Sequence, residues 1–191
     1  MLKYLIPRIA WVDLPPMFGA AFLGALLAGA YGIMHDHITY SISPEYYTNL
    51  KFRQFQYADF SLGDRVFVTC IGFLAAWWVG FIFAWFFSRR LIPNQPRSRA
   101  YRKILTGFAI VFGCGLLAGL GAYLYGFWRG PEADYSSWQP QLVRYKITDS
   151  WAFVRVASIH NATYLGAFVG FLIALYLIRP ENQNIISDKG R

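Results

Sequence analysis

Residues 66–87 read VFVTCIGFLAAWWVGFIFAWFF, an apolar block that contains no Asp, Glu, Lys, Arg or His. A helix needs about 20 residues of this kind to cross the hydrocarbon core of a bilayer. Three further blocks have the same character, at residues 17–34, 104–127 and 162–178. The sequence therefore predicts an all-α membrane protein, with four transmembrane helices in a single integral membrane domain over residues 1–191.

The composition is that of a membrane protein rather than of a water-soluble one. The 191 residues are 56% hydrophobic and 19% aromatic, and their mean hydropathy is +0.33. Only 15% are charged, against about 25% in a typical soluble domain. This balance excludes a disordered chain, a collagen-like repeat and a small secreted domain stabilised by disulfides.

The basic residues are distributed unevenly along the chain and indicate how it is oriented. The segments before the first block, between the second and third, and after the fourth carry the whole net charge of +8, whereas residues 35–65 and 128–160 balance to zero. The positive-inside rule places both termini in the cytoplasm and these two loops outside it. The basic loop at 88–103 could also bind nucleic acid, but contact with anionic headgroups of the lipid bilayer explains its charge. We therefore predict no nucleic-acid partner.

The chain is similar to itself after a shift of 90 residues. The shift places the sequence LLAG at 26–29 on the same letters at 116–119, and it also aligns the second apolar block with the fourth. We interpret this pattern as two tandem helical hairpins, residues 14–90 and 104–180. Such copies are related by a pseudo-two-fold axis along the membrane normal.

Small residues recur at intervals of four along all four blocks. Such stripes let helix backbones approach closely in lipid, where no hydrophobic driving force acts between helices. The opposite faces are rich in Trp and Phe and would contact lipid, a pigment or a partner subunit. We predict helix packing at the following positions: Gly24, Ala28, Gly72, Gly80, Gly115, Gly119, Gly166 and Gly170.

The two outer loops are too long for simple hairpin turns and are expected to have structure of their own. Residues 38–43 (ITYSIS) and 143–148 (VRYKIT) alternate apolar and polar side chains, which is typical of short strands. Asp149 is a favourable residue to begin a helix that runs through His160 into the fourth block. The sequence thus predicts a small extracytoplasmic α/β cap on the bundle.

All three histidines lie outside the apolar blocks, His35 and His37 after the first and His160 before the fourth. With a carboxylate they could ligate Zn²⁺, Cu²⁺ or Fe²⁺, because neutral imidazoles suit these ions. The alternative is that they only cap helix ends and hydrogen-bond the loops. We expect such loop-organising roles for three further residues: Asp36, Glu45 and Tyr46. No nucleophile elbow, phosphate loop or paired-carboxylate motif occurs, so the sequence identifies no catalytic residue and no cofactor.

A motif begins within the first block and runs on beyond it: YGIMHD at 31–36, then Ile38-Thr39, then SPEYYT at 43–48. It resembles the pattern YGxxHDxIT…SPEY(F/Y) of a family of uncharacterised bacterial four-span membrane proteins. This chain has Tyr47 where Phe is usual in that pattern and His37 where Gln is common. The resemblance implies four spans and a bacterial source, and hence the inner membrane, but it implies no activity.

Three functions remain open at this point. Coupled transporters carry ionisable residues within the membrane, and the four blocks have none, which disfavours a transporter or an oligomeric pore. The absence of a histidine within the blocks also argues against a haem or chlorophyll ligand. A metal-binding protein or interfacial enzyme with an extracytoplasmic site is the second interpretation. We favour a non-catalytic accessory or structural subunit of a larger bacterial inner-membrane complex, of the respiratory or photosynthetic kind.

Overall fold

The chain is predominantly helical over residues 9–180, the part that this computed structural model describes. Four of the helices are long and apolar enough to cross a membrane, which confirms the predicted all-α fold with four membrane-length helices. The terminal residues that we predict to be cytoplasmic, 1–8 and 181–191, lie outside the described part. The described α-helices are α1 (Leu14–Ile42), α2 (Phe52–Gln54), α3 (Asp64–Leu91), α4 (Arg97–Arg129), α5 (Gln139–Arg144) and α6 (Ser150–Leu177).

The long helices extend beyond the apolar blocks that predict them. The first, α1, continues to Ile42, and α6 begins at Ser150. Parts of the predicted outer loops 35–65 and 128–160 are therefore helical. Hydropathy falls at the first polar residues, whereas the backbone hydrogen bonding of a helix continues through them.

Two helix ends carry the residue types that their positions favour. The carboxylate of Asp149 accepts a hydrogen bond from the backbone N–H of Ala152 (2.9 Å) at the start of α6, as an N-cap residue does. This confirms the predicted helix start at Asp149. At the other end of the same connection, α4 stops at Gly130, whose φ of +73° is readily adopted only by glycine.

The predicted strands at 38–43 and 143–148 are wrong. Residues up to Ile42 complete α1, and the second segment overlaps helix α5 and the turn that follows it. Three polar side chains are buried near the end of α1: Asp36, Thr39 and Ser43. Their spacing of three and four is that of a helix face. Because this buried face is polar, the alternation of letters gives a false strand signal, and the predicted α/β cap has no sheet among the described residues.

The four long helices associate as two close pairs, α1 with α3 and α4 with α6. A Cβ atom placed on Gly72 would lie 2.6 Å from the carbonyl oxygen of Gly32, and one on Gly24 would lie 2.6 Å from that of Gly80. In the second pair, a Cβ atom on Gly166 would lie 2.6 Å from the carbonyl oxygen of Cys114. Backbones this close leave no room for a side chain, which is the packing that small-residue stripes provide in lipid.

The remaining small residues of the predicted stripes also lie at these contacts. The Cβ of Ala28 faces Gly80 across the first pair, and Gly115 and Gly119 of α4 both face Thr163 of α6. One contact has a counterpart after a shift of 90 residues, since Gly24 meets Gly80 and Cys114 meets Gly170, the last stripe position. The duplication itself stays a prediction.

Two clusters of apolar side chains join the helix pairs, one at each end of the bundle. We call the end where α1 leads into α3 the loop end, and the end where α3 leads into α4 the terminal end. The terminal cluster includes the stacked rings of Phe83 and Phe171, whose centres are 4.1 Å apart. The loop-end cluster is built around Tyr47 and Phe153, which are fully buried. Between the two clusters lies a cavity of about 80 Å³, to which all four long helices contribute.

One carboxylate ties the two connections at the loop end together. Glu45 accepts hydrogen bonds from the Thr148 hydroxyl (2.6 Å) and from the backbone N–H groups of Thr148 and Asp149 (3.0 Å each). Burial alone would raise the pKa of Glu45, but these hydrogen bonds to the charged form outweigh it and hold the pKa below its ordinary value.

Candidate metal centre

Two histidines and an aspartate meet inside the loop half of the bundle. His35 and Asp36 lie on α1, and His160 lies on α6. Asp36 Oδ1 is 3.1 Å from Nδ1 of His35 and 3.4 Å from Nε2 of His160. Asp36 is 5% exposed and His160 is 2% exposed, so both lie away from bulk water. One donor atom from each residue lies within 4.8 Å of the other two.

These three residues belong to helices of membrane length and not to loops outside them. The apolar blocks themselves contain no ionisable residue, but α1 and α6 continue beyond them and carry these three residues. Both helices extend through polar residues, which they bury against each other. Ionisable groups buried in a membrane bundle are unfavourable, and for that reason they mark functional sites.

The ring of His160 presents an unpaired nitrogen to the carboxylate. Its Nδ1 lies 3.0 Å from the carbonyl oxygen of Val156, and because a carbonyl can only accept, Nδ1 carries the hydrogen. In the neutral ring, Nε2 then holds a lone pair, and this buried atom has no hydrogen-bond partner. Nε2 faces Asp36 Oδ1, which is also an acceptor. Two buried acceptors face each other stably only when a positive charge, a proton or a metal ion, lies between them.

The imidazole of His35 contacts a hydroxyl group on the side away from Asp36. Nε2 of His35 lies 3.4 Å from Oγ1 of Thr163, while Nδ1 points to Asp36. The ring packs edge-on against His160, with centres 4.6 Å apart. When Nε2–H donates to Thr163, the lone pair of Nδ1 is directed at the carboxylate. An outer partner of this kind fixes the tautomer and orientation of metal-ligating histidines.

Two of the distances within the cluster are close to those expected around a shared ion. Donor atoms that bind one ion at about 2.0–2.2 Å in a tetrahedral site lie about 3.3–3.6 Å apart. The two contacts of Asp36 Oδ1, at 3.1 and 3.4 Å, fall close to this range. Two imidazoles and one carboxylate form a set used for Zn²⁺ and for Fe²⁺, and three protein ligands leave a position open for water or another ligand.

Aromatic rings and a lysine cover the cluster on the loop side. The ring of Tyr46 stacks on His160 at 4.9 Å, and the Tyr47 hydroxyl lies 2.6 Å from Oγ1 of Thr39. Burial raises the pKa of both tyrosines, which keeps them neutral hydrogen-bonding groups at neutral pH. The amine of Lys51 lies 5.9 Å from the Tyr46 ring centre, and burial lowers its pKa against the opposing charge of Asp36.

The third predicted metal ligand, His37, lies apart from the cluster. Its Nε2 is 2.9 Å from Oγ1 of Thr69, and its Nδ1 is 3.4 Å from the guanidinium of Arg65. Residues two positions apart in a helix point in directions about 200° apart, so His35 and His37 cannot converge once this segment is helical. The structure brings His35 and His160 together and supplies Asp36 in place of His37.

Sequence reasoning missed several parts of this site. It assigned Asp36 to loop organisation, although the adjacent His-Asp pair in the motif is a signal for a shared role. Nothing in the sequence points to Thr163, because it is 128 positions away from His35. Lys51 carries no signal either, and Tyr47 stands in the motif without any indication of this role, since their position above the cluster depends on how the connection folds back.

No protein-family model, curated protein or solved structure matches this chain. Function must in any case be derived from the chemistry of specific residues, because one fold can host many functions. Among the described residues, the buried cluster of His35, Asp36 and His160 is the feature with the most defined chemistry.

Proposed function

We propose that this chain is a multi-pass membrane protein that binds a divalent transition-metal ion through His35, Asp36 and His160. The observation that carries the proposal is the position of the buried Nε2 atom of His160, which faces Asp36 Oδ1 at 3.4 Å. An ion between these atoms satisfies both acceptors at once. The positive-inside rule places the loop end, and with it the site, toward the outer side of a bacterial inner membrane.

A metal ion explains the arrangement better than a simple ion pair does. Two imidazoles converge on the same oxygen of Asp36, Oδ1, so one ion beside this oxygen lies within reach of both rings. A buried ion pair also has to recover the desolvation of both charges, which it often fails to do. A metal ion gives all three side chains a common partner. The open coordination position suits the activation of a bound water or the polarisation of a bound oxygen.

A second proposal keeps the predicted role of an accessory subunit in a larger complex. It is supported by the aromatic outer face of α3, where Trp78 is 50% exposed and Phe86 47% exposed. Lipid alone accounts for such a face in a membrane protein, so this proposal is weaker than the metal site. Transport is less well supported, because the cavity between the helix pairs is lined mainly by apolar side chains.

One purification tests both proposals. The full chain is isolated in mild detergent, stripped briefly with a chelator, reloaded with Zn²⁺ or Fe²⁺ and assayed by elemental analysis. We expect about one ion per chain, and the variants Asp36→Asn and His160→Gln to bind at least about a hundredfold more weakly, since each removes a ligand. Mass spectrometry of the same preparation, before chelation, detects any co-purifying subunit at fixed stoichiometry.

The matched control is His37→Gln, which removes a histidine from the same helix but outside the cluster. It should retain the metal, and circular dichroism with size-exclusion chromatography should show all variants folded. Wild-type protein that stays metal-free after reloading would refute the site, as would equal metal loss in His37→Gln and His160→Gln.

A further inference from the structure

The cavity between the two helix pairs has an almost wholly apolar surface and borders polar residues at one end. His35 and Asp36 line it at the loop end, where Thr163 joins them. Below them the wall is formed mainly by apolar side chains: Ala28, Val79, Phe83, Val111, Phe112 and Ala167. The candidate metal centre therefore borders an apolar cavity inside the bundle.

The same small residues that close the helix pairs create this space. Gly32 and Gly72 bring α1 against α3, yet both also line the cavity, as does Gly115 of α4. Aromatic clusters fill the bundle above and below, whereas these glycines leave the middle unfilled. The backbones are in contact within each helix pair, and the unfilled space lies between the pairs, where it forfeits dispersion energy.

The cavity also reaches the flank of the bundle. Tyr164 lines it and is nevertheless 53% exposed. The side chain of Tyr164 therefore lies between the cavity and the outer surface of α6. The rings of Tyr31 and Phe112, which also line the cavity, stack in parallel between α1 and α4 with centres 4.9 Å apart.

We infer that this cavity binds the apolar chain of a lipid-soluble ligand whose oxygen-bearing head group reaches the cluster of His35, Asp36 and His160. An apolar cavity of about 150 Å³ accepts a benzene ring, so about 80 Å³ holds a short stretch of chain. The rest of the chain leaves past Tyr164 into the bilayer. The inference deepens the proposed function, on which the contact between head group and ion rests.

The head group is defined by the chemistry at the polar end. The open coordination position accepts an oxygen donor, such as a hydroxyl or a carbonyl group. Without an ion, a hydroxyl can still donate to Asp36, whereas a carboxylate would be repelled by it. A long-chain alcohol is therefore the probe that occupies the cavity in both the loaded and the metal-free protein.

The test is photolabelling with a long-chain alcohol that carries a diazirine near its hydroxyl group. The labelled residues of the full chain, in detergent, are mapped by peptide mass spectrometry with and without Zn²⁺. We expect labels on the cavity walls in α3 and α6. Val79→Phe, which fills the cavity, should lower this labelling about tenfold.

The matched control is Val169→Phe, at the position related to Val79 by the shift of 90 residues. Val169 is 44% exposed and is not part of the cavity wall, so labelling should not change. Ala167→Leu fills the cavity from the opposite wall and replaces Val79→Phe should that variant not fold.

The outcomes separate this inference from the metal site. Labels confined to outward-facing residues, or equal labelling of wild type and both cavity-filling variants, would overturn the inference even in a metal-loaded protein. Labels on the cavity walls in a protein that binds no ion would support the chain-binding cavity while refuting the proposed metal site.

Discussion

The terminal and loop halves of the bundle differ in what they bury between the helix pairs. At the terminal end the core consists of apolar side chains such as Phe87, Ile104 and Phe171, and the polar residues buried near it, Ser88 and Gln95, carry no charge. At the loop end, Asp36 and His160 are buried beside aromatic rings. Both halves use the same close helix pairs, so the contrast lies in side-chain chemistry and not in architecture.

The contrast separates the side chains that stabilise the bundle from those that form the candidate metal centre. Buried apolar side chains gain dispersion energy when helices pack in lipid. A buried carboxylate and two imidazoles are costly to desolvate unless they are fully satisfied. The terminal half therefore stabilises the bundle, and the loop half buries a group of residues that is costly by itself and that the proposed metal ion would satisfy.

The largest effect expected from this contrast is the loss of stability in Phe87→Ala. Phe87 is fully buried in the terminal cluster, and truncating it should lower the free energy of unfolding by about 3 kcal/mol, at the lower end of the range for core Phe→Ala changes. The low end applies because the unfolded side chain meets detergent rather than water. Unfolding in detergent, followed by circular dichroism, measures the change.

Metal content distinguishes the two halves in the same experiment. The folded Phe87→Ala protein should bind as much metal as wild type. The control is Phe86→Ala, which truncates the exposed ring next in sequence and should be nearly as stable as wild type. Loss of the metal from folded Phe87→Ala would show that the two halves are not separable.

A smaller effect is expected from Thr163→Val, which sharpens the description of the loop half. Valine has almost the shape of threonine but cannot accept a hydrogen bond from Nε2 of His35. Loss of such an outer partner should weaken metal binding about tenfold, as measured by metal titration. Thr69→Val is the matched control, because Thr69 contacts His37 outside the cluster. Equal affinities of the two variants would contradict the supporting role of Thr163.

The four long helices could be predicted because their signal is local. Each apolar block is long enough to span a bilayer by itself, and no neighbour is needed to recognise it. The end of α1 could not be predicted in this way, because its buried face consists of Asp36, Thr39 and Ser43. A buried helix face made of polar residues can be recognised only when the groups that hydrogen-bond them are known.

The candidate site depends on the tertiary contact between α1 and α6, so only two of its three residues could be predicted from the sequence. The sequence predicts His35 and His160 as potential ligands, because neutral imidazoles suit transition-metal ions. The exclusion of His37 follows from the helical direction of each side chain, and the inclusion of Asp36 follows from the contact with α6. Neither can be known before the segment at 35–42 is recognised as helical.

The smallest effect expected is the pH-dependent contribution of Glu45 to the stability of the loop end. Its folded pKa lies below the ordinary value because Thr148 and the backbone of Asp149 hydrogen-bond the charged form. Stability from such a group is present above the unfolded pKa, about 4.3, and is lost as the pH falls through the lower folded value. The free energy of unfolding of Glu45→Gln should therefore be about 1 kcal/mol lower than that of wild type at neutral pH, and nearly equal to it at acid pH.

Thermal unfolding of both proteins between neutral pH and about pH 3 measures this difference. The control is Glu132→Gln, at an exposed position of the other connection. A difference between Glu45→Gln and wild type that stays constant across this range would mean that the carboxylate charge does not join the two connections, and that the loop half is held by its aromatic cluster alone.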